Sequence, residues 1–238
     1  MSGLGAEARA VVERYGRRDE AAEADLYRPT DPYVLLARQG RERAMVGLLR
    51  RAGLDRPGGR SAYEIGCGDG SNLLDLLRWG FAPDHLAGVD LLPGPLGRAR
   101  DRLPGGIALA IGDATAIDPP GGRSAFDLVL VSTVVSSLLD DRARRELATR
   151  AWSLAAPGGG VLWHDFTRDN PRNPDVRGIP LAEIRRLFPG GATIRSRRIT
   201  LAPPIGRRLG PRLAPILYPI LAAIPPLRTH LVAWIARS

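Results

Sequence analysis

The sequence contains no lysine, and all 34 of its basic side chains are arginine. Codon usage in a GC-rich genome explains this absence more readily than selection for an arginine surface. The 25 acidic residues leave a formal net charge of +9, and the sequence pI is about 10.9. This balance admits nucleic acid, an anionic membrane or an acidic substrate as a partner.

Cysteine and long apolar runs are also scarce. Cys67 is the single cysteine, so no disulfide forms within the chain and a reducing, cytoplasmic location is expected. The first residues are charged throughout, which is not typical of a signal peptide. No run of about 18 uncharged apolar residues occurs, and we expect no transmembrane helix. No spacing of histidine, cysteine and aspartate suggests zinc, and we predict no catalytic metal.

Strand and helix signals alternate along the middle of the chain. Strands are predicted at 61–65, 85–90, 107–114, 126–135 and 157–166, and helices at 71–79, 93–103 and 141–155. This alternation indicates an α/β fold with a parallel sheet and helices on both faces. Outside this region, helices are predicted at 5–15, 38–53 and 181–188, strands at 192–203 and 230–238, and an apolar segment broken by prolines at 204–229.

Glycines alternate with other residues directly after the first predicted strand, in the stretch EIGCGDG. Gly66, Gly68 and Gly70 let the backbone approach a ligand closely, and the next helix offers unpaired N–H groups at its N-terminus. A dinucleotide-binding turn has the pattern G-x-G-x-x-G, but here its third glycine would fall on Ser71. The spacing is instead acidic-x-G-x-G-x-G, with Glu64 as the acidic residue.

Three further segments follow the glycine run, each at the end or the start of a later predicted strand. Asp90 ends the second predicted strand, where a carboxylate accepts hydrogen bonds from both hydroxyls of a ribose. Asp113 follows the third strand in IGDAT, and PGGGVLW leads into the fifth. Together with the glycine run, these segments cover residues 61–166 and resemble the class I S-adenosylmethionine-dependent methyltransferases. The C-terminal part also resembles a bacterial type 11/25-like group of these enzymes found in polysaccharide and secondary-metabolite clusters.

The resemblance implies a Rossmann-like methyltransferase sheet of seven strands, with the last strand antiparallel and helices on both faces. It implies S-adenosyl-L-methionine as the cofactor, with the glycines beneath its methionine part and ribose, Asp90 at the ribose, and Asp113 with Ala114 at the adenine. The cofactor-binding residues predicted in this way are Glu64, Gly66, Cys67, Gly68, Gly70, Asp90, Leu91, Asp113, Ala114 and Thr133.

The segments outside the cofactor region are expected to select the acceptor. We predict an N-terminal helical cap at 1–55 and a methyltransferase domain at 56–238. Residues 204–229 are predicted to form a lid between strands six and seven. Arginines precede the apolar part of this insert, which suggests peripheral contact with the inner membrane face; a homodimer contact or simple packing on the sheet is the alternative.

Candidates for acceptor chemistry lie at the ends of strands four and five. His164 is the candidate general base, because histidine titrates near neutral pH, and Asp165 follows it. Neighbouring side chains of a strand point to opposite faces, so at most one of the two faces the site. In the resembled group this segment often reads W-Y-D-F, which favours a structural role for His164 as the alternative. The predicted acceptor-binding residues are Tyr27, Ser136, Asn170, Asn173 and Arg177.

Three functions remain open at this point. The favoured one is methyl transfer to a small molecule or glycan, through a hydroxyl oxygen, in a biosynthetic pathway. An RNA methyltransferase is the alternative suggested by the pI of about 10.9, but aromatic residues make up only 5% of the chain and no RNA-binding module is appended. A non-catalytic protein of the same fold is the third; the intact glycines, Asp90 and Asp113 argue against it.

Overall fold

The computed structural model describes residues 4–17, 25–171 and 173–237. A sheet of seven strands lies at its centre. The strands are β1 (Ala62–Ile65), β2 (Leu86–Asp90), β3 (Ala108–Ile111), β4 (Phe126–Ser132), β5 (Ala155–Phe166), β6 (Thr193–Leu201) and β7 (Arg228–Ala236). Their order across the sheet is β3-β2-β1-β4-β5-β7-β6.

The strand pairing confirms the predicted architecture. β1 pairs in parallel with both β2 and β4, and β4 pairs in parallel with β5. β7 lies between β5 and β6 and is antiparallel to both. The chain runs outward from β1 to β3 and then returns to the other side of β1 for β4. In such sheets a ligand crevice opens at this reversal, beyond the carboxyl ends of the strands.

Helices cover both faces of the sheet. Within the described residues, the α-helices are α1 (Ala6–Gly16), α2 (Pro32–Arg51), α3 (Ser71–Arg78), α4 (Pro93–Arg102), α5 (Asp141–Leu154), α6 (Leu181–Leu187), α7 (Pro203–Gly206) and α8 (Gly210–Ala223). Side chains alternate between two cores because successive residues of a strand point to opposite faces. Val129 packs on the face with α5 and α6, whereas Leu128 packs on the face with α2 and α3.

Helix α2 begins earlier than predicted. The sequence predicted this helix from residue 38, but it starts at Pro32. Asp31 caps the helix, because its side chain accepts a hydrogen bond of 3.0 Å from the backbone N–H of Val34. A proline in the first turn has no hydrogen bond to lose, so Pro32 favours the helix start.

Helix α8 also differs from the expectation of a broken segment. It runs through Pro215 and Pro219 without interruption, and Pro211 lies in its first turn. The three prolines are spaced by four residues and are all exposed, so they share one side of the helix. Proline has no backbone N–H, so the carbonyl one turn before each proline has no donor within the helix. These carbonyls therefore lie on the exposed side of α8. Within the described ranges, no helix combines the length and apolarity needed to cross a membrane.

Candidate active site

The glycine turn after β1 depends on backbone conformations that disfavour other residues. Gly66, Gly68 and Gly70 have φ angles of 72°, 52° and 77°, in the left-handed region. A Cβ atom on Gly66 would lie 2.4 Å from a methyl group of Val134, so this position is closed by packing. At Gly68 no atom lies within 4 Å of where a Cβ would be. The turn therefore leaves open space at Gly68, where a ligand can approach the backbone.

A cavity of about 1580 Å³ lies between α1 and the carboxyl ends of β1, β2 and β4. Most of the predicted cofactor residues line it. These are Gly66, Gly68, Asp90, Leu91, Asp113, Ala114 and Thr133. Helix α1 contributes residues from Ala6 to Gly16, so the N-terminal segment covers this part of the sheet.

The carboxylate of Asp90 joins the end of β2 to the glycine turn. Its Oδ2 accepts a hydrogen bond of 2.7 Å from the Gly68 N–H, and its Oδ1 accepts one of 2.8 Å from the Leu92 N–H. Burial raises the pKa of Asp90, while these backbone hydrogen bonds act in the opposite direction. A carboxylate has about four acceptor positions, so each oxygen retains capacity for a ligand hydroxyl.

Asp113 organises the turn that follows β3. Its Oδ1 accepts hydrogen bonds from the Thr115 N–H at 2.9 Å and the Thr115 hydroxyl at 2.7 Å. Ala114 is buried beside it, and the Ala114 carbonyl accepts a 3.1 Å hydrogen bond from Arg150 Nε. This turn presents a carboxylate and adjacent backbone to the cavity.

Glu64 lies on the face of the sheet away from the cavity, and its side chain is not part of the cavity wall. Its side chain is fully buried, and Oε1 accepts a 2.6 Å hydrogen bond from the Asn72 amide. Oε2 has no hydrogen-bond partner among the described residues. Burial raises the pKa of Glu64 to about 8. Cys67 and Gly70 are also absent from the cavity wall, so cofactor contact by these three residues stays a prediction.

Thr133 has a conformation that is rare for a β-branched residue. Its φ is 56°, its N–H donates a 2.7 Å hydrogen bond to the His164 carbonyl, and its hydroxyl donates one of 2.7 Å to the Ser132 carbonyl. Such strain costs about 1–3 kcal/mol and is concentrated at functional sites. Thr133 lines the cavity directly after β4.

His164 lies beneath this strained residue rather than in the cavity wall. It is only 5% exposed, its Nδ1 is 3.0 Å from Ser132 Oγ, and its ring stacks on His230 with centroids 5.5 Å apart. Burial, followed by the charge of Arg41, holds the pKa of His164 well below its usual range. Burial therefore favours the neutral form of the enclosed ring, and its role as a general base stays a prediction.

Asp165 points to the opposite face, as strand alternation requires. Its Oδ2 accepts a 3.0 Å hydrogen bond from the Ser136 N–H, and its Oδ1 accepts one of 2.9 Å from the Phe166 N–H. Burial raises the pKa of Asp165 to about 6. Asp165 thus holds the turn after β4 in place, and neither it nor Ser136 lines the cavity.

The loop after β5 is held by internal contacts. Arg177 forms an ion pair with Asp141, and its backbone N–H donates a 2.8 Å hydrogen bond to the Ser136 carbonyl. Asn170 and Asn173 form an isolated antiparallel bridge. None of the three predicted acceptor residues on this loop lines the cavity. Arg172, which the sequence places beside them, lies outside the described residues.

The insert at 204–229 packs against α2 instead of the cavity. The Tyr33 hydroxyl donates a 3.0 Å hydrogen bond to the Leu201 carbonyl, and the Tyr33 and Tyr218 rings meet edge to face at 6.0 Å. Tyr27 is 58% exposed and lies under the Arg207 guanidinium, 5.9 Å from its ring centroid. Neither the insert nor Tyr27 contributes to the cavity wall, so their roles as lid and acceptor site stay predictions.

Sequence reasoning missed the polar contacts made by α1. Glu7 Oε1 accepts hydrogen bonds from Arg14 at 2.6 Å and from the Leu139 N–H at 2.8 Å. The Tyr15 hydroxyl lies 3.1 Å from Ser137 Oγ, and Arg14 donates a 2.8 Å hydrogen bond to the Ser137 carbonyl. The spacing of residues 7, 14 and 15 places them on one helical face, which was the available signal. Glu7, Tyr15 and Ser137 all line the cavity.

Comparisons with known proteins agree with this geometry. Residues 62–159 match the family model described as a methyltransferase domain. No curated protein matches the sequence closely enough to count as a relative.

Solved structures share the fold. The N-methyltransferase NodS from Bradyrhizobium japonicum WM9, in complex with S-adenosyl-l-homocysteine, superposes with a TM-score of 0.60 at 20% identity, covering 98% of this chain and 100% of NodS. An S-adenosylmethionine-dependent methyltransferase from Mesorhizobium loti gives 0.55 at 18% identity, covering 82% of this chain and 98% of that protein. The [4+2]-cyclase SpnF gives 0.54 at 17% identity, covering 82% and 81%.

The fold is that of S-adenosylmethionine-dependent methyltransferases of known structure, and residues 62–159 match a methyltransferase domain. The segment from β1 to the start of β5 is the part that the family model covers. Residues 62–159 are therefore assigned as a methyltransferase domain.

Proposed function

We propose that the enzyme transfers a methyl group from S-adenosylmethionine to a hydroxyl group of a small molecule or glycan in a biosynthetic pathway. The observation that carries this proposal is the cavity of about 1580 Å³ beneath α1. Pockets for a single small ligand occupy roughly 300–1,000 Å³, so this cavity is large enough for a cofactor and a second small molecule. A helix across the site favours a compact acceptor over a folded RNA.

The residues of the glycine turn fit the cofactor. The open space at Gly68 admits its ribose and methionine part next to the backbone. Asp90 retains acceptor capacity for the ribose hydroxyls, and Asp113 with Ala114 is proposed to hold the adenine. The cofactor supplies an activated methyl group on a sulfonium. Methyl transfer disperses that positive charge, so the chain contributes mainly alignment and exclusion of water.

A hydroxyl acceptor also needs a hydrogen-bond acceptor for its proton. Glu7 is our candidate for this role, because its carboxylate lines the cavity and is held by Arg14 and the Leu139 N–H. Tyr15 and Ser137, whose hydroxyl oxygens are 3.1 Å apart, are proposed to orient the acceptor. In this proposal His164 and Asp165 act through the turn after β4, since both side chains are enclosed.

Isotope transfer tests the proposal directly. The purified protein is incubated with S-adenosylmethionine carrying a ¹³C-methyl group and with separate pools of glycosides, phenols, primary amines and mixed tRNA. We expect a methoxy carbon signal in the glycoside or phenol pool. A methyl carbon on nitrogen only would make the enzyme an N-methyltransferase, as NodS is named. Label in tRNA alone would establish the RNA alternative.

A further inference from the structure

The net positive charge of the chain comes from its C-terminal part. Residues 184–238 contain 10 arginines and no aspartate or glutamate, whereas residues 1–183 contain 24 arginines and 25 acidic residues. The first part is therefore almost neutral, and the excess of +9 comes from the last 55 residues. Codon usage explains why these residues are arginine and not lysine, but it does not explain the missing acidic residues. Such asymmetry along the sequence favours an anionic partner for a surface built from these residues.

Helix α8 lies in this basic region and has an apolar outer side. Leu213, Ile216, Ile220 and Ile224 are 53%, 63%, 58% and 44% exposed. The spacing of three or four residues places Leu213, Ile216 and Ile220 on one side of the helix, and Ile224 follows directly after its end. The inner side of α8 packs on the domain through different side chains, because Tyr218 is buried against Tyr33 of α2. The exposed apolar side chains are thus not needed to hold the helix on the domain.

Arginines stand at the start of the same helix. Arg208 and Arg212 are exposed, one just before α8 and one in its first turn. Arg207 is fixed by aromatic contacts, with its guanidinium 5.0 Å from the Tyr33 ring centroid and 5.9 Å from that of Tyr27. We call the surface formed by Leu213, Ile216, Ile220, Ile224, Arg208 and Arg212 the α8 surface.

We propose that the α8 surface docks on an anionic phospholipid bilayer, with its apolar side chains at the acyl boundary and its arginines at the headgroups. Basic residues beside an apolar helix face are the pattern of interfacial helices. The helix has 14 residues, about 21 Å at 1.5 Å per residue, which is too short to span a bilayer core of about 30 Å. A nucleic acid fits less well, because isoleucine and leucine provide no stacking surface for bases.

Vesicle flotation tests this docking and needs no acceptor. The full chain is centrifuged with vesicles of phosphatidylcholine alone and with vesicles of phosphatidylcholine and phosphatidylglycerol, at low and high salt. We expect flotation with the anionic vesicles at low salt and its loss at high salt. Ile216→Asp with Ile220→Asp should lower the partition coefficient at least about tenfold. Arg208→Glu with Arg212→Glu should lower it by about fivefold or more per residue.

Matched variants control for charge and folding. Ile111→Asp changes an exposed isoleucine at the opposite edge of the sheet, where the side chain is 49% exposed. Arg56→Glu with Arg123→Glu changes two exposed arginines outside the basic region. Both controls should float like the parent chain. Circular dichroism melts establish that each variant is folded.

Several results would overturn the proposal. The parent chain remaining at the bottom of the low-salt gradient excludes membrane docking. Equal flotation of the parent chain and the Ile216→Asp, Ile220→Asp variant would show that the chain contacts the vesicles through another surface. A concentration-dependent dimer that this variant abolishes, without flotation of the parent, would assign the surface to a second copy. Tighter binding to mixed RNA than to anionic vesicles would assign it to nucleic acid.

Discussion

The Gly68 N–H donates a 2.7 Å hydrogen bond to Oδ2 of Asp90, and this contact fastens the glycine turn to the end of β2. The two residues are 22 positions apart in the sequence but form one wall of the cavity. The carboxylate therefore has two functions in our proposal. It sets the conformation of the turn and it offers acceptor positions to the cofactor ribose.

Removing this carboxylate should weaken cofactor binding more than folding. Asp90→Ala loses a charged hydrogen-bond partner, for which we expect about 1.5–3 kcal/mol, or about 10- to 150-fold in Kd. Calorimetry with S-adenosylmethionine and its demethylated product measures the change. Asp101→Ala, at an exposed position on α4, is the control. An unchanged Kd on folded Asp90→Ala protein would contradict the proposed ribose contact.

A matched pair of glycine variants separates ligand contact at Gly68 from the general cost of placing alanine in the left-handed region. Gly68→Ala introduces a methyl group into open space at φ 52°, so folding should lose only about 1 kcal/mol. Cofactor affinity should fall by at least about tenfold, because the methyl group occupies the approach of the ligand. Gly53→Ala is the matched control, since Gly53 has φ 75° and equally open space but lies outside the cavity wall. Equal affinities of the two variants would argue against ligand contact at Gly68.

Glu64 gives a pH-dependent prediction. Its pKa is raised by burial from 4.5 to about 8, so folding favours the protonated carboxyl. This contribution is fully present below about pH 4.5 and is lost as pH rises towards 8, because the unfolded chain ionises first. Glu64→Gln cannot ionise and should raise the Tm at pH 8 by at least about 3 °C, with little change near pH 4.5.

Melting curves at both pH values, without ligand, test the Glu64 prediction. Glu13→Gln changes an exposed carboxyl of α1 and should not alter the pH dependence. The interpretation is wrong when Glu64→Gln shifts the Tm equally at the two pH values. In that case the substitution acts through packing and not through ionisation.

Glu7 should matter for turnover and not for the cofactor. Glu7→Gln keeps the side-chain oxygen that accepts from Arg14 and the Leu139 N–H but removes the charge. We expect kcat/KM with a hydroxyl acceptor to fall about 100-fold, the lower range for loss of a general base, with the Kd of S-adenosylmethionine unchanged. Glu13→Gln on the same helix again serves as control. Full activity of Glu7→Gln would remove Glu7 as the proton acceptor.

The fold was predictable because its signals are local. Apolar runs, glycines and prolines mark each strand and turn, and β1 to β5 occur where those patterns indicated. Much of the proposed cofactor site was predictable for the same reason, since Gly68, Asp90 and Asp113 follow directly from strand ends. The start of α2 was missed because Asp31 caps the helix and Pro32 fits in its first turn.

The acceptor side of the cavity was harder to predict from the sequence, because it depends on contacts between distant segments. His164 and Asp165 lie at a strand end, but stacking on His230 and the hydrogen bond from the Ser136 N–H enclose them. No local sequence pattern predicts contacts between segments that are distant in the chain. The cavity wall opposite the glycine turn comes instead from α1, through Glu7 and Tyr15.

The position of β7 has a consequence for how the molecule is assembled. β7 is separated in sequence by more than 60 residues from β5, yet it fills the gap between β5 and β6. Until β7 docks, β5 presents an unpaired edge to other chains, which is an aggregation hazard. Pairings over such sequence separations form slowly, because loop closure must precede the gain in contacts. The half of the sheet built from β1 to β4 is therefore expected to fold first, and β7 to close the sheet late.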